Sequence, residues 1–249
     1  MSISVVIVAK NEAHDIVACL ESAAWAKERL VVDTGSTDAT ADLAAAAGAR
    51  VLRHEWLGYA ATKNAAFSQA QGDWVLSLDA DERVSSALAQ ELVALARGGS
   101  DHAAFAIPRR FYFLGRWLKH GGCYPDYQLR FFRRGRASYG SELIHERLHL
   151  DGSAGHCRGH LDHHSYPTIS EYLAKLDEYS TLWARQAHTA GRRGSWYHSL
   201  ALLSGFGSRY LLRGGFLDGR AGLTWAVMAG LHSYFKYAKL AELSRPEGR

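Results

Sequence analysis

Three acidic residues stand within four positions directly after a short apolar stretch. The stretch WVLSL, residues 74–78, has the composition of a strand buried on both faces, and Asp79, Asp81 and Glu82 follow it. Open α/β sheets bind ligands at the carboxyl ends of their parallel strands, where two carboxylates one residue apart can share a divalent cation. The pattern equally suits a solvated turn in which Asp79 or Asp81 caps the following helix.

Three other short segments place polar residues beside the ends of predicted strands and helices. IVAKNEAHDI ends the first predicted strand, VVDTGSTDAT ends the second, and GYAATKNAAF opens the third predicted helix. The polar residues in these segments also have ordinary structural explanations. Glu12 can cap a helix that begins near residue 13, and Asp33 can cap the turn at residues 35–36. Lys63 can be a solvated helix residue. Because each segment has such an alternative, the order of the four segments along the chain is more informative than any one segment.

The elements that must position these residues alternate between strand and helix over the first hundred residues, which predicts a parallel sheet with crossover helices. Apolar runs predict strands at residues 3–9, 30–32, 51–52 and 74–78. Helical periodicity predicts helices that begin near residues 13, 36, 59 and 86, with Ser36 or Thr37 as the N-cap of the second. After residue 96 the alternation fades.

The remaining chain divides into an aromatic, Gly- and Arg-rich part and a helical part. Residues 105–150 predict short strands and long loops, which can supply the second half of a pocket or form a covering layer. Helical spacing returns near residue 170, where Tyr172, Leu176, Tyr179 and Leu182 can line one face of a helix.

Composition limits the class of protein. A chain of 249 residues with 47% hydrophobic content can bury a sizeable core. Three widely spaced cysteines without a CxxC pair argue against a disulfide framework and favour a reducing compartment. The N-terminal segment lacks a basic region and a small-residue cleavage site, so no export signal is expected.

The net charge of +4 is unevenly distributed. Residues 192–249 contain nine Lys or Arg and three acids, and residues 109–136 contain eight Lys or Arg and one acid. Two basic stretches beside an acidic remainder indicate an anionic partner such as nucleic acid, a diphosphate or a lipid surface. An ordinary solvated basic face is the alternative explanation.

Two uncharged windows occupy the C-terminal part, at residues 194–208 and 221–235. At 15 residues each, they are shorter than the roughly 20 apolar residues that span a bilayer. Aromatic residues interleave with Arg and Lys around both windows, a mixture typical of helices that lie in a lipid headgroup layer. A hydrophobic helical pair packed on the main domain or on a second subunit is the other interpretation.

Taken together and in order, the four segments resemble the family-2 glycosyltransferases of the GT-A fold. The resemblance covers at least residues 1–100 and implies an α/β protein with a GT-A, Rossmann-like mixed sheet and flanking helices. It assigns residues 1–165 to a catalytic domain that binds nucleotide-sugar and acceptor, and residues 166–249 to a C-terminal helical, membrane-surface appendage. Family members use a nucleotide-diphosphate sugar and a divalent metal, Mg²⁺ or Mn²⁺, held by a DxD motif.

The resemblance also implies a role for individual residues on the donor side. Asp81 is expected to chelate the metal, with Asp79 near the ribose or in the outer shell of the metal. Lys63 is expected to approach the diphosphate, and a UDP-sugar is the favoured donor. The nucleoside is expected to contact the first two strand ends, through Ala9, Asn11, Glu12 and Asp33.

Inverting transfer needs a base that takes the proton of the acceptor hydroxyl, and family members use an acid downstream of the metal motif. The candidates here are Asp126, Glu142 and Glu146. Glu146, in IHERL, occupies the place of the family's acidic acceptor-side motif, and His145 beside it can orient the carboxylate or the acceptor. Asp126 is the reserve candidate, although its segment YPDYQLRFFRRG can be mainly structural, with an Arg at 130 or 133 drawn to phosphates.

A histidine-rich segment raises the question of zinc. No CxxC or HxxxH spacing organises its potential ligands, so hydrogen-bonded histidines near the acceptor site are the expected arrangement. The potential ligands are His149, His156, Cys157, His160, His163 and His164.

In length, in the stretches LDADE and IHE, and in the C-terminal stretch GGFLDGRAGL, the sequence resembles the lipopolysaccharide core β-glucosyltransferase-like proteins. That implies transfer of a hexose such as glucose to a lipid-linked saccharide, by an enzyme bound peripherally to the cytoplasmic face of the bacterial inner membrane, without nucleic acid as a partner. Other cell-envelope or protein acceptors, and a non-catalytic sugar-nucleotide-binding membrane protein, are the alternatives. A sugar nucleotidyltransferase is disfavoured because VAKNEAHD lacks a Gly-rich loop.

Overall fold

The computed structural model describes residues 1–98, 100–140, 148–195, 198 and 200–245, which form a mixed α/β fold. The strands are β1 (Ile3–Ala9), β2 (Glu28–Asp33), β3 (Arg50–Arg53), β4 (Trp74–Leu78), β5 (Glu82–Val84), β6 (Ala104–Phe113), β7 (Arg116–Trp117), β8 (Asp126–Arg133), β9 (Ala137–Tyr139), β10 (Leu148–Leu150), β11 (Ala154–His156) and β12 (Leu161–Tyr166). The helices are α1 (Ile16–Ser22), α2 (Thr40–Ala46), α3 (Tyr59–Ser68), α4 (Ser86–Arg97), α5 (Ile169–Thr189), α6 (Ala201–Gly207) and α7 (Gly219–Leu243).

Four parallel strands form one half of the main sheet, in the order β3-β2-β1-β4. Their apolar runs are buried because crossover helices cover the sheet, and β4 is buried at every position. The register pairs Ile7 with Leu78 and Ala9 with Asp33, so the carboxyl ends of β1, β2 and β4 meet at one edge. The predicted α/β class, with a mixed sheet and flanking helices, is confirmed.

Antiparallel strands extend the sheet beyond β4, in the order β8-β6-β12-β5. β8 runs antiparallel to both β4 and β6, and Asp126 at its start pairs in register with Arg109. The short strand β5 follows the acidic turn after β4 and pairs antiparallel with β12, with Glu82 opposite His163. This arrangement brings residues from distant parts of the chain to the end of β4.

The chain divides into two compact units. The first comprises Met1–Arg109 and Asp126–His163, and it contains the two hydrophobic clusters that lie on the faces of the parallel strands. The second comprises Arg110–Pro125 and His164–Arg249, with its own cluster around Phe113, Tyr172 and Leu176. Because these units are defined by compactness alone, the functional division at residue 165 stays a prediction.

The second unit carries the two uncharged windows of the sequence. Window 194–208 includes α6, and window 221–235 lies inside α7. Within the described ranges, no helix is both long enough and apolar enough to cross a membrane.

Two local predictions are wrong for identifiable physical reasons. Helix α2 begins at Thr40 and has no cap from Ser36 or Thr37, because the polar groups of those residues bond to Asp33 and Asn11. The buried face of α5 contains Tyr172 and Leu176 but continues through small residues, whereas Tyr179 and Leu182 are exposed. The residues that complete this face are Ser180, Ala184 and Ala187. Close approach to α7 favours small side chains there, which apolar spacing alone does not predict.

Candidate active site

The ends of β1 and β2 are joined by hydrogen bonds between their loops. Asn11 has a positive φ of 56°, a backbone conformation that Asn tolerates better than most residues. Its N–H donates to Ser36 Oγ at 2.9 Å, and its Oδ1 accepts the N–H of Thr37 at 2.8 Å. The Glu12 N–H donates to Thr40 Oγ1 at 2.8 Å, and the buried Ala9 carbonyl accepts the Thr34 N–H at 3.0 Å. These contacts fix the loop that the sequence assigns to the nucleoside.

Asp33, at the end of β2, is buried and serves its own turn. Its carboxylate accepts the Ser36 N–H at 3.2 Å and also the Ser36 hydroxyl. Asp33 therefore caps the turn at residues 35–36, as the structural explanation of this residue predicts. The role of Asp33 toward a base or ribose stays a prediction.

Lys63 lies in α3 with its side chain only 4% exposed, so its interpretation as a solvated helix residue is wrong. Its Nζ lies 2.8 Å from Asp79 Oδ1 and 5.2 Å from the centre of the Tyr59 ring. Lys63 therefore forms an ion pair with Asp79, the first acid of the DxD motif.

The Asp79 carboxylate is bound by two cations. Arg130 contacts Oδ2 while Lys63 contacts Oδ1. Burial alone would raise the pKa of Asp79, but the charges of Arg130 and Lys63 outweigh it and hold the pKa well below its usual range. A lowered pKa means that this pairing stabilises the fold above the unfolded-state pKa and is lost only as the pH falls through the folded-state pKa. The Asp79 side chain is 34% exposed, so a ligand can still reach it.

Glu82 is fully buried at the centre of this network. Its Oε1 lies 3.2 Å from both Arg109 and Arg130, and its Oε2 accepts the Asp79 N–H at 3.0 Å. Buried carboxylates are stable only when charges and hydrogen bonds compensate them, and here both oxygens are compensated. Glu82 is one of the three acids that follow β4 in the sequence, but no function is predicted for it from the sequence. The available signal was the excess of Arg in residues 109–136, which supplies its partners.

Asp126, the reserve candidate for the base, belongs to the same network. Its Oδ2 accepts from Arg109 Nε at 2.9 Å and Nη2 at 2.6 Å, and its Oδ1 accepts from Gln128 Nε2 at 2.8 Å. Both oxygens are thus engaged, and proton abstraction would require this carboxylate to leave Arg109. Arg133 is placed on the Trp74 ring, 4.8 Å from its centre, so it is a packing residue here.

Asp81 has a different partner from Asp79. His163 Nε2 lies 3.3 Å from Asp81 Oδ2, and both side chains are partly exposed. This pairing follows from the register of β5 with β12, which places His163 opposite Glu82. The sequence named His163 only as one of several histidines in a rich segment. The contact between His163 and Asp81 was not predicted, because the two residues are 82 positions apart in the sequence.

The favoured base, Glu146, lies outside the described residues, as do Glu142 and His145. The strands on either side of that segment are described. β9 pairs antiparallel with β10, and Asn64 of α3 exchanges hydrogen bonds of 2.8 Å with the N–H and C=O of Tyr139. These bonds attach the end of β9 to the residue that follows Lys63.

The remaining histidines form separate contacts. His156 packs edge-on against Tyr127, and His164 stacks on Tyr112 at 4.7 Å. Across the part of the chain that the structure describes, no three His, Cys, Asp or Glu side chains are grouped to hold a metal ion. Asp81 and His163 are a pair of such side chains at the end of β4.

Comparison with known proteins gives matches over the whole chain. The lipopolysaccharide core biosynthesis glycosyltransferase LpsC of Rhizobium meliloti is 30% identical, over 96% of this chain and 92% of its own length. An uncharacterized glycosyltransferase of Rickettsia typhi, RT0209, is 26% identical over 97% of this chain and 87% of its own length.

Among solved structures, TarS of S. aureus (residues 1–349) matches with a TM-score of 0.51 at 13% identity. The match covers 100% of this chain and 93% of that one, and it bears on the fold alone. The sequence model described as Glycosyl transferase family 2 matches residues 4–149, which include the ends of β1, β2 and β4. The resemblance expected from the sequence is confirmed, and the chain belongs to glycosyl transferase family 2.

Proposed function

We propose that this chain is an inverting, metal-dependent glycosyltransferase that moves a hexose such as glucose from a UDP-sugar to a lipid-linked saccharide of the lipopolysaccharide core type. The observation that carries the proposal is the pair of acids at the end of β4, where Asp79 is held by two cations and Asp81 faces His163. Similarity to LpsC over 96% of the chain supports the class of acceptor.

On the donor side, the structure supports separate roles for the two acids of the motif. Asp79 is kept ionised by Lys63 and Arg130, so it can accept a hydrogen bond from a ribose hydroxyl without taking up a proton. Asp79 contributes no free charge for a metal, because both its oxygens are already paired. Glu82 positions Asp79 by accepting its backbone N–H.

The chemistry of Asp81 and His163 fits a divalent metal. A carboxylate oxygen and an imidazole nitrogen are ligands that Mn²⁺ accepts, and partial exposure of both leaves room for oxygens of a diphosphate and of water. When bound, the ion would neutralise the negative charge that develops on the diphosphate leaving group. Asp81 and His163 would hold it, while Lys63 keeps Asp79 in the anionic form beside them.

The proposed base is Glu146. The engagement of Asp126 by Arg109 and Gln128 supports this choice, because a carboxylate with both oxygens occupied is a poor acceptor for a proton.

The donor can be tested by measuring slow hydrolysis and thermal stabilisation with a panel of nucleotide sugars, with and without Mn²⁺. We expect UDP-glucose with Mn²⁺ to raise the melting temperature and to release UDP, while the sugar alone has no effect. Binding of none of the nucleotide sugars would contradict the proposal. Hydrolysis of another nucleotide sugar in preference would replace the proposed donor and keep the enzyme class.

Peripheral association with the cytoplasmic face of the inner membrane is part of the proposal. Large apolar side chains of the second unit are exposed to solvent over a stretch that also contains the exposed Arg213 and Arg220. Exposed apolar side chains beside cations are suited to an anionic lipid surface. The apolar residues are Leu200, Leu203, Leu211, Leu212, Phe216, Leu217, Leu223 and Val227.

Replacing two of these residues should weaken binding to vesicles. We expect Leu212→Asn with Leu217→Asn to lower the affinity for phosphatidylglycerol-containing vesicles by on the order of tenfold or more, because two apolar side chains no longer enter the lipid. Leu57→Asn is the control, since Leu57 is 57% exposed, close to the 61% of Leu217, but lies in the first unit. Vesicle sedimentation gives the affinity, which should also fall in high salt. Equal loss in the control variant, or no loss in the double variant, would reject this surface.

A further inference from the structure

A cleft of about 460 Å³ lies within the second unit. All the residues that line it come after the acids of β4 in the sequence. Its size is within the range of small-molecule sites. One wall is a face of α7 on which Trp225, His232 and Lys236 recur at helical spacing. The other wall, after α6, carries Arg209 and Arg213. Nothing in the donor or metal chemistry proposed above uses these residues.

The cleft has an excess of positive charge. No ion pair found among the described residues involves Arg209, Arg213 or Lys236, although all three line the cleft. Arg209 instead donates to the Gly121 carbonyl at 3.0 Å, and Lys236 lies 4.6 Å from the centre of the Trp183 ring. Arg209 and Lys236 are partly removed from water without a compensating acid, and the exposed Arg213 adds a third positive charge to the same cleft. Three cations in one concave site favour an anion.

Two basic groups on the α7 wall have lowered pKa values. Burial lowers the pKa of Lys236, and burial together with the charge of Lys236 lowers the pKa of His232. Both shifts report that the positive forms are destabilised in the cleft as it stands. An anion bound between them would remove that penalty.

The wall opposite α7 has an unusual backbone. Ser208–Leu212 forms a π-helical turn that continues directly from α6, and it carries Arg209 into the cleft. Such turns are rare and occur often at functional sites. The aromatic rings of Trp225, Tyr166 and Tyr172 complete the lining and provide flat apolar faces beside the cations. Cations beside aromatic faces suit a ligand that is anionic at one end and ring-shaped at the other.

We propose that this cleft binds a phosphate ester carried on a sugar ring of the acceptor saccharide. The assignment to the acceptor rests on the proposed function, whereas binding of a sugar phosphate to the cleft does not. Arg213 and Lys236 contact the phosphate from the two walls, and the aromatic faces contact the sugar. The same phosphate chemistry exists in lipid headgroups, so the test separates the two sources.

The probes are glucose 6-phosphate, glucose and inorganic phosphate, titrated calorimetrically into the full chain without donor. We expect glucose 6-phosphate to bind more tightly than inorganic phosphate, and glucose alone not to bind. Arg213→Gln and Lys236→Gln should each weaken glucose 6-phosphate binding by at least about tenfold, as expected for the loss of a hydrogen bond to a charged group. Arg185→Gln, which replaces an exposed cation of α5 that does not line the cleft, is the control and should bind normally.

Donor binding keeps this proposal separate from the proposed function. Both cleft variants should retain the stabilisation by UDP-sugar and Mn²⁺, which also shows that they are folded. Undiminished glucose 6-phosphate binding in both variants, or equal weakening in Arg185→Gln, would overturn the proposal. The proposal would also be overturned if the unsubstituted protein did not bind glucose 6-phosphate and the two cleft variants lost binding to phosphatidylglycerol vesicles. The phosphate recognised by the cleft would then belong to a lipid headgroup.

Discussion

Asp81→Asn should reduce transfer by at least about a thousandfold and abolish the Mn²⁺-dependent part of donor binding. Removing the carboxylate charge leaves His163 as the one remaining proposed metal ligand among the described residues, and a metal that stabilises a leaving diphosphate contributes several kcal/mol to the reaction. The fold should persist, because Asp81 lies in a partly exposed turn and outside the ion pairs of Glu82. Transfer assays and thermal shift with UDP-sugar, with and without Mn²⁺, measure both effects.

Two further variants define the origin of that loss. Asp151→Asn removes an exposed acid of the same unit and should leave Mn²⁺-dependent binding unchanged. His163→Ala should weaken Mn²⁺-dependent binding of the donor while leaving melting without ligand nearly unchanged, because His163 has a partly exposed side chain. An Asp81→Asn variant that is fully active in EDTA would refute the metal role.

The parallel half of the fold follows from local patterns, and for that reason the sequence predicts it well. β1 and β4 have the predicted bounds, because each is a continuous apolar run between polar residues and is covered on both faces. The start of α2 was misplaced since Ser36 and Thr37 are good caps by type, but their polar groups serve the loops of Asn11 and Asp33. Tertiary contacts decided between two locally acceptable uses of the same residues.

The partners of the acids required information that no local pattern contains. Arg130 and Arg109 reach Glu82 because β8 and β6 join the sheet antiparallel beside β4, and His163 reaches Asp81 because β12 pairs with β5. β5 has only three residues, and β6, although it has ten, carries a bulge between Phe105 and Ala106. β6, β8 and β12 also lie in the part of the chain where the strand-helix alternation has ended. The sequence therefore predicted that these acids lie at the end of β4, but it did not predict which cations and which histidine contact them.

Glu146→Gln should lower the transfer rate by at least about a hundredfold and leave donor affinity nearly intact. An acceptor hydroxyl is a poor nucleophile at neutral pH, and a positioned carboxylate typically contributes on the order of 10²–10⁴-fold by taking its proton as the new bond forms. The donor is bound through other groups in this proposal, so its affinity does not depend on the base. Comparing kcat with the thermal shift by UDP-sugar separates the two effects.

Asp126→Asn is the comparison that decides between the two candidate bases. This substitution removes the negative charge that pairs with Arg109, so it should lower stability, and it should reduce transfer less than Glu146→Gln does. Arg109 would keep its contact with Glu82, which limits the damage to the network around Asp79. The two variants are therefore compared at a temperature at which both are folded, with transfer rates normalised to the folded fraction. Loss of transfer in Asp126→Asn together with normal transfer in Glu146→Gln would reverse the roles, since an acid released from Arg109 by the acceptor would then be the group that takes the proton.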